Sequence, residues 1–93
     1  MASRRLAIAP NAAEVLKHLP PGLKRAVRAA LRGLSDGTIA GESLQRELEG
    51  LHKYPVRRYR IVYSIDRGLI KVLAIGHRRT IYEVLAESVR RAK

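Results

Sequence analysis

Basic side chains and tyrosines are concentrated in one stretch of the chain, residues 51–83. Cationic groups attract phosphates, and aromatic rings offer faces on which nucleobases can stack. This stretch is therefore a candidate surface for a polyanion such as nucleic acid. Its basic and aromatic members are Lys53, Arg57, Arg58, Arg60, Arg67, Lys71, Arg78 and Arg79, with Tyr54, Tyr59, Tyr63 and Tyr82.

A predicted hairpin would bring several of these side chains to one end of a β-sheet. Asp66-Arg67-Gly68 is typical of a hairpin turn, because glycine accepts a positive φ. Antiparallel pairing about this turn places residues 57–60 close to residues 75–78. Arg60 and Arg78 are then expected to flank one phosphate. The further candidates for RNA or phosphate binding at this end are Arg57, Arg58, His77 and Arg79.

These residue types suit the cleavage of an RNA phosphodiester without a metal ion. Arginines stay charged and can contact two phosphate oxygens at once, so they can hold the phosphate and stabilise transition-state charge. Proton transfer needs another group, and His77, a lysine such as Lys53 or a tyrosine could supply it. A two-metal nuclease would need clustered carboxylates, whereas residues 51–93 contain only three acidic residues. The sequence therefore predicts no metal site and no cofactor.

The same residues also have purely structural explanations. Tyr59 and Tyr63 share one face of a predicted strand with Ile61 and Ile65, which fits a hydrophobic core better than a base-stacking platform. The histidines lack the spacing of metal ligands. By pattern alone, the chain is a basic α+β domain that binds nucleic acid, without a defined reaction.

Two helices are predicted in the first half of the chain, after a short strand over Arg4–Ala9. Asn11 is a candidate N-cap for the first helix, which ends before Pro20-Pro21. The second helix runs from Pro21 to Leu34, so the two form an αα-hairpin. Their predicted apolar faces comprise Ala12, Val15, Leu16 and Leu19, then Leu23, Val27, Ala30, Leu31 and Leu34. Lys24, Arg25, Arg28 and Arg32 lie off the apolar face of the second helix, where a solvated helix surface is favoured over contact with RNA.

Strands dominate the second half, after at most a short helical turn over Ser43–Leu48. Leu51–Val56 is the first strand, and Pro55 marks it as an edge or bulge because proline lacks an N–H. The next strands are Tyr59–Ile65 and Leu69–Ile75, and a helix follows over Thr80–Arg91. The predicted fold is α+β in a single domain, residues 1–93. An N-terminal strand and an αα-hairpin pack on a small antiparallel sheet, and a helix ends the chain.

The net charge is +11, with +8 in residues 51–93 and +3 in residues 1–50. Such a charge predicts an anionic partner: nucleic acid, an acidic protein or an anionic membrane. A membrane is the least favoured, because no run approaches the ~20 apolar residues that span a bilayer. No signal peptide is evident, and the chain has no cysteine. Both features fit a cytoplasmic protein.

The element order β-α-α-β-β-β-α, with four sequence motifs, resembles the RelE/ParE toxin superfamily. The motifs are Leu16 to Leu19 followed by Pro20-Pro21, RELEGL (46–51), RYRIVYSID (58–66) and VLAIGHRRTIYE (72–83). The resemblance implies a small toxin of a type II toxin–antitoxin pair, neutralised by an acidic antitoxin. RelE-like members cut mRNA in the ribosomal A site, without metal, by attack of the 2′-OH. ParE-like members poison DNA gyrase and catalyse no reaction.

The resemblance also assigns roles to individual residues. The RelE-type catalytic positions fall on Lys53, Arg60, Arg78 and Tyr82. Two positions depart from the pattern: Pro55 stands where many relatives have a basic residue, and Arg57 where a glycine is common. The resemblance implies a ribosome-dependent mRNA endonuclease with the ribosome and mRNA as partners. The alternative is a ParE-like inhibitor of DNA gyrase, which Pro55 favours.

Overall fold

Three helices and five strands make up the part of the chain that the computed structural model describes, residues 4–45 and 48–91, with side chains as far as residue 87. The first half contains β1 (Arg5–Ile8), α1 (Pro10–Lys17), α2 (Pro21–Asp36) and β2 (Glu42–Ser43). The second half contains β3 (Leu51–Val56), β4 (Tyr59–Asp66), β5 (Leu69–His77) and α3 (Ile81–Arg91).

The strands form a mixed sheet in the order β1-β5-β4-β3-β2. The predicted α+β class, with an αα-hairpin and a C-terminal helix, is confirmed. The strands β3 to β5 pair antiparallel, as predicted, and β2, which the sequence did not predict, pairs antiparallel with β3. By contrast, β1 joins β5 in parallel, from Arg5 opposite Leu69 to Ile8 opposite Val72. The sheet is therefore mixed, with one parallel pair at its edge.

Each face of the sheet carries its own hydrophobic cluster. On the hairpin face, α1 and α2 pack against the sheet through residues such as Leu16, Val27 and Leu34, which meet Ile61 and Tyr63 of β4. On the α3 face, Ile81 and Leu85 of α3 pack with Val62 and Ala74. Alternate residues of β4 thus enter opposite clusters, as the period of a strand requires.

The register of the β4–β5 hairpin differs from the predicted pairing by one residue at the turn and by another further along. Asp66 pairs with Leu69 across a turn of Arg67 and Gly68, whose φ angles are 50° and 78°. A bulge at Leu73 then shifts the pairing, so that Arg60 lies opposite Gly76 and Tyr59 opposite His77. The predicted proximity of residues 57–60 to residues 75–78 is confirmed.

The first helix differs from the prediction at its start and on its apolar face. It begins at Pro10, and its N-cap residue Ala9 makes no side-chain capping hydrogen bond. Asn11 is not a cap, because its Nδ2 donates to the carbonyl oxygen of Leu73 at 3.2 Å, next to the bulge. Val15 is 36% exposed rather than buried. The second helix continues past Leu34 to Asp36 and ends at Gly37, whose φ is 82°.

The segment predicted as a helical turn over Ser43–Leu48 begins instead as a strand. Glu42 and Ser43 pair with Lys53 and His52 of β3, while residues 46 and 47 lie outside the described residues. The preceding Gly41 is enclosed: its N–H donates to the Tyr63 hydroxyl at 2.8 Å. A Cβ at this glycine would overlap the carbonyl oxygen of Lys53, so only glycine fits.

Pro55 lies at an open edge of the sheet, as predicted. Since β2 pairs only with His52 and Lys53, the described residues leave β3 without an outer partner from Tyr54 to Val56. None of the described helices is long and apolar enough to cross a membrane.

Candidate phosphate-binding site

Two arginine-rich turns meet at one end of the sheet. The first is Arg57-Arg58 between β3 and β4, where Val56 pairs with Tyr59 and the chain reverses in two residues. The second leads from β5 to α3 and is closed by a hydrogen bond from the Thr80 N–H to the His77 carbonyl at 3.0 Å. The Arg78 N–H donates to the Arg58 carbonyl at 2.7 Å, which ties the two turns together.

Arg58, His77, Arg78 and Arg79 line one concavity between these turns, with a volume of about 210 Å³. This volume is below the ~300 Å³ at which pockets for drug-sized ligands begin, so it suits a small group such as phosphate. Three guanidinium groups around one concavity attract an anion and can donate several charge-assisted hydrogen bonds. We call this feature the phosphate concavity.

His77 is held in one orientation within the phosphate concavity. Its Nδ1 accepts a hydrogen bond from the Arg79 N–H at 3.2 Å. Its ring meets that of Tyr59 edge to face, with centroids 5.8 Å apart and planes at 73°. Because Nδ1 is the acceptor, a neutral His77 ring carries its proton on Nε2. The imidazole can then donate a hydrogen bond to an oxygen of a bound phosphate.

Arg60 does not line the phosphate concavity. It lies on the α3 face, opposite Gly76. Its Nη1 donates to the carbonyl oxygens of Tyr59 at 2.9 Å and Arg57 at 3.2 Å. Arg60 therefore supports the turn that carries Arg57 and Arg58. The structure brings Arg58, rather than Arg60, beside Arg78 in this concavity.

Lys53 shares the α3 face with Arg60. It lies opposite Val62, two residues along β4 from Arg60, and such diagonal neighbours are about 7–8 Å apart. Its Nζ is 4.0 Å from Oε2 of Glu42, across the β2–β3 pair. The Lys53 side chain is 34% exposed and that of Glu42 is 80% exposed, so water screens this contact.

Tyr82 lies in the first turn of α3, where its half-buried side chain packs against the cluster on the α3 face. Seven of the eight predicted site residues thus fall into two groups. Lys53, Arg60 and Tyr82 lie on the α3 face, while Arg58, His77, Arg78 and Arg79 line the phosphate concavity. The eighth, Arg57, turns toward the start of α2: a Cβ at Gly22 would lie 3.8 Å from its Nη1.

The sequence did not indicate that α2 contributes a side chain to this end of the sheet. Leu23, assigned only to the apolar stripe, lines a concavity with Arg57, Arg58 and Tyr59. No local signal in the sequence joins residue 23 to residues 57–59. The contact depends on how the αα-hairpin is laid across the sheet.

Residues 6–82 match the family model described as the ParE toxin of the type II toxin–antitoxin system, parDE. The match extends over most of the chain, so the chain belongs to this family, within the RelE/ParE superfamily. The protein is a toxin of a type II toxin–antitoxin system. The resemblance found in the sequence is confirmed.

Solved structures agree with this assignment. A chain of the toxin–antitoxin complex RelBE2 from Mycobacterium tuberculosis is 30% identical, with a TM-score of 0.73 over 82% of this chain and 99% of that one. The Escherichia coli toxin RelE, solved as a mutant in the free state, is 22% identical, with a TM-score of 0.74 over 96% and 97%. The YoeB dimer from Staphylococcus aureus is 21% identical, with a TM-score of 0.67 over 82% and 98%. The last two comparisons show a shared fold. No curated protein matches the sequence.

Proposed function

We propose that this toxin is a ribosome-dependent, metal-independent mRNA endonuclease that arrests translation, and hence acts in the cytoplasm. The observation that supports this proposal best is the phosphate concavity, where backbone hydrogen bonding ties Arg58 and Arg78 together. A preformed set of cationic donors is what a phosphoryl transition state requires. The solved relatives named RelE and YoeB share this fold.

The proposed reaction is an internal transfer at one phosphodiester. The 2′-OH loses its proton, its oxygen bonds to phosphorus, and the bond from phosphorus to the 5′-oxygen breaks. The 5′-oxygen takes up a proton, which leaves a 2′,3′-cyclic phosphate and a 5′-OH. Arg58 and Arg78 hold the phosphate and stabilise the added charge, while His77 donates a hydrogen bond from Nε2.

Proton transfer in this scheme belongs to the α3 face. Lys53 and Tyr82 are the proposed proton-transfer groups. Arg60 lies on β4, next to the strand β3 that carries Lys53. Its Nη1 donates to the carbonyl oxygens of Arg57 and Tyr59 at the β3–β4 turn. Arginine itself is a poor proton carrier because it stays charged. Arg57 and Arg79 extend the cationic surface along the RNA backbone.

The decisive experiment is primer extension on a translated mRNA after induction of the toxin. We expect new 5′ ends inside translated codons, and none in the same transcript when its start codon is removed. A DNA gyrase supercoiling assay with the purified toxin is run beside it. Cleavage without gyrase inhibition supports the endonuclease, while gyrase inhibition without cleavage rejects it.

Inhibition of DNA gyrase is the second candidate function, and two observations favour it. The matching family model carries the ParE description. In addition, the Tyr82 ring packs into a hydrophobic cluster, which restricts its access to a substrate. In this case the basic surface would serve binding alone, and no bond would be broken.

We infer that the neutralising partner is an acidic antitoxin, since solved relatives include toxin–antitoxin complexes and the net charge of +11 attracts an anionic partner. An apolar groove between α2 and the open edge of β3 suits its apolar side. The groove is lined by Ala26, Ala29, Ala30, Gly33, Thr38, Ile39, Tyr54, Pro55 and Val56.

The charges beside this groove favour an acidic amphipathic helix as its occupant. Arg25, Arg28 and Arg32 are exposed on α2, next to the small residues of the groove. A strand added to the β3 edge would receive no hydrogen bond from Pro55, which lacks an N–H. Small residues on α2 allow a helix to approach closely, and the arginines can pair with its carboxylates.

A further inference from the structure

A second concavity adjoins the phosphate concavity at the same end of the sheet. It lies between the first turn of α2 and the β3–β4 turn, is lined by Leu23, Arg57, Arg58 and Tyr59, and has a volume of about 230 Å³. Arg58 lines both concavities. Tyr59 meets His77 of the phosphate concavity edge to face, with 5.8 Å between ring centroids. The two concavities are therefore direct neighbours.

The walls of the two concavities have different chemistry. Among the described residues, those that line the phosphate concavity are three arginines and a histidine. The second concavity has an aliphatic wall, Leu23, an aromatic wall, Tyr59, and the planar guanidinium groups of Arg57 and Arg58. Nucleobases bind by stacking on aromatic rings and on guanidinium planes, with apolar side chains at their edges.

We propose that the second concavity binds the nucleobase of the nucleotide whose phosphate occupies the phosphate concavity. This proposal rests on the proposed function, because it assumes a nucleotide phosphate between Arg58 and Arg78. It adds a base-binding subsite made by α2, with Tyr59 and Arg57 as its principal contacts. Stacking tolerates any base, so the subsite strengthens binding without strict sequence selection.

The backbone at Arg57 makes this proposal testable without loss of the fold. Arg57 has a φ of 57°, in the left-handed region that glycine adopts more readily than arginine. The turn itself therefore does not require an arginine side chain, and Arg57→Gly keeps the backbone. Arg67, with a φ of 50° in the other hairpin turn, offers the matched control Arg67→Gly. Both variants lose one positive charge and relax one turn, at opposite ends of the sheet.

The binding experiment uses three probes: inorganic phosphate, ribose 5-phosphate and adenosine 5′-monophosphate. Each is titrated into the whole 93-residue chain while side-chain NMR signals are recorded. We expect the adenosine nucleotide to bind between about five- and a hundredfold more tightly than ribose 5-phosphate, because only the former can stack. The adenine ring current should also shift the Leu23 methyl signals, and the two probes without a base should leave them in place.

The two variants then test whether the tighter binding of adenosine 5′-monophosphate depends on the second concavity. In Arg57→Gly, the affinity for adenosine 5′-monophosphate should fall toward that for ribose 5-phosphate. In Arg67→Gly, the ratio of the two affinities should equal that of the unchanged protein. A ratio that falls equally in both variants, or that stays unchanged in Arg57→Gly, would show that the preference for the base does not depend on the second concavity and would overturn the subsite.

Two further outcomes separate this proposal from the proposed function. Equal affinities for the two sugar phosphates, with His77 signals perturbed and Leu23 signals unmoved, would overturn the subsite and leave the phosphate site intact. If no probe perturbs His77 or the neighbouring arginines, the phosphate site fails and the subsite fails with it. Cleavage of translated mRNA would still be judged by primer extension.

Discussion

Arg78 and Arg60 are both arginines near one end of the sheet, yet their side chains have different surroundings. Arg78 lines the phosphate concavity, and its backbone N–H donates a hydrogen bond to the Arg58 carbonyl oxygen. Arg60 uses Nη1 to bind the carbonyl oxygens of Tyr59 and Arg57. We therefore expect Arg78 to act on the substrate directly. We expect Arg60 to act by holding the turn that presents Arg58, where it binds two carbonyl oxygens.

Removal of either guanidinium group should abolish toxicity if the endonuclease proposal is correct. Arg78→Ala and Arg60→Ala should each lower the cleavage rate by ~10²–10³, the usual cost of one preorganised donor. Cleavage is measured by primer extension at matched toxin levels. Arg28→Ala and Arg32→Ala, on the exposed side of α2, remove the same charge away from the site and should leave the chemical step unchanged. Full toxicity of Arg60→Ala and Arg78→Ala would favour gyrase binding.

Tyr82→Phe tests the hydroxyl group separately from the packing of the ring. The ring remains in the cluster on the α3 face, so the free energy of unfolding should change little. If the hydroxyl transfers a proton, the cleavage rate should fall by about 10²–10⁴, the usual contribution of a general acid or base. An unchanged rate would leave Lys53 as the proton-transfer candidate of the α3 face.

The sequence supplied the types of the site residues, while their grouping depended on the register. Basic residues are visible in any sequence, and so is the hairpin turn that brings them near one another. The pairing of Arg58 with Arg78 was not visible, because the register is shifted by one residue at the turn and by another at Leu73, a bulge within the apolar run of β5. Because β5 has apolar residues on both faces, its hydrophobic pattern is the same whether or not its pairing with β4 is shifted by one residue.

At the scale of elements, the short strand β2 depends on a glycine. Gly41 must approach the Lys53 carbonyl more closely than any Cβ allows, and its N–H is bonded to Tyr63 in the core. Such a two-residue strand has no periodic signature, so the sequence predicted helical character instead. By contrast, the helices and the longer strands have clear periods and were predicted with small errors at their ends.

Gly41→Ala should therefore destabilise the protein. Overpacking of this kind costs about 1–3 kcal/mol in the free energy of unfolding, measured by chemical denaturation. Gly22→Ala is the matched control: a Cβ there meets its nearest neighbour at an ordinary 3.8 Å, and alanine favours the helix. A Gly41→Ala protein as stable as Gly22→Ala would contradict the enclosed geometry of Gly41.

At the scale of the whole molecule, we expect the charge of +11 to govern how fast the proposed acidic antitoxin associates. Electrostatic attraction accelerates encounter and weakens with added salt, whereas apolar contacts determine how slowly the complex dissociates. The association rate of the antitoxin should thus fall steeply with ionic strength. The dissociation rate should depend on the apolar groove.

Ala29→Glu tests the groove as the antitoxin site. The new carboxylate would meet an acidic helix among apolar neighbours, so we expect the dissociation constant to rise by tenfold or more, since like charges repel most strongly where water is excluded. Ala13→Glu places the same charge on an exposed alanine of α1, away from the groove. Surface plasmon resonance measures the dissociation constant of the antitoxin for each variant. Equal dissociation constants for the two variants would show that the antitoxin binds outside the groove.

The parallel pairing of β1 with β5 has a consequence for how the protein is made. Arg5 has no partner strand until Leu69 has been synthesised, and the turn with Arg78 follows β5. During synthesis the αα-hairpin can form from local contacts, whereas the sheet cannot close until β5 has left the ribosome. The basic end of the sheet is therefore assembled after the αα-hairpin, and a nascent chain that stops before β5 carries the apolar groove's helix without the arginine turns joined.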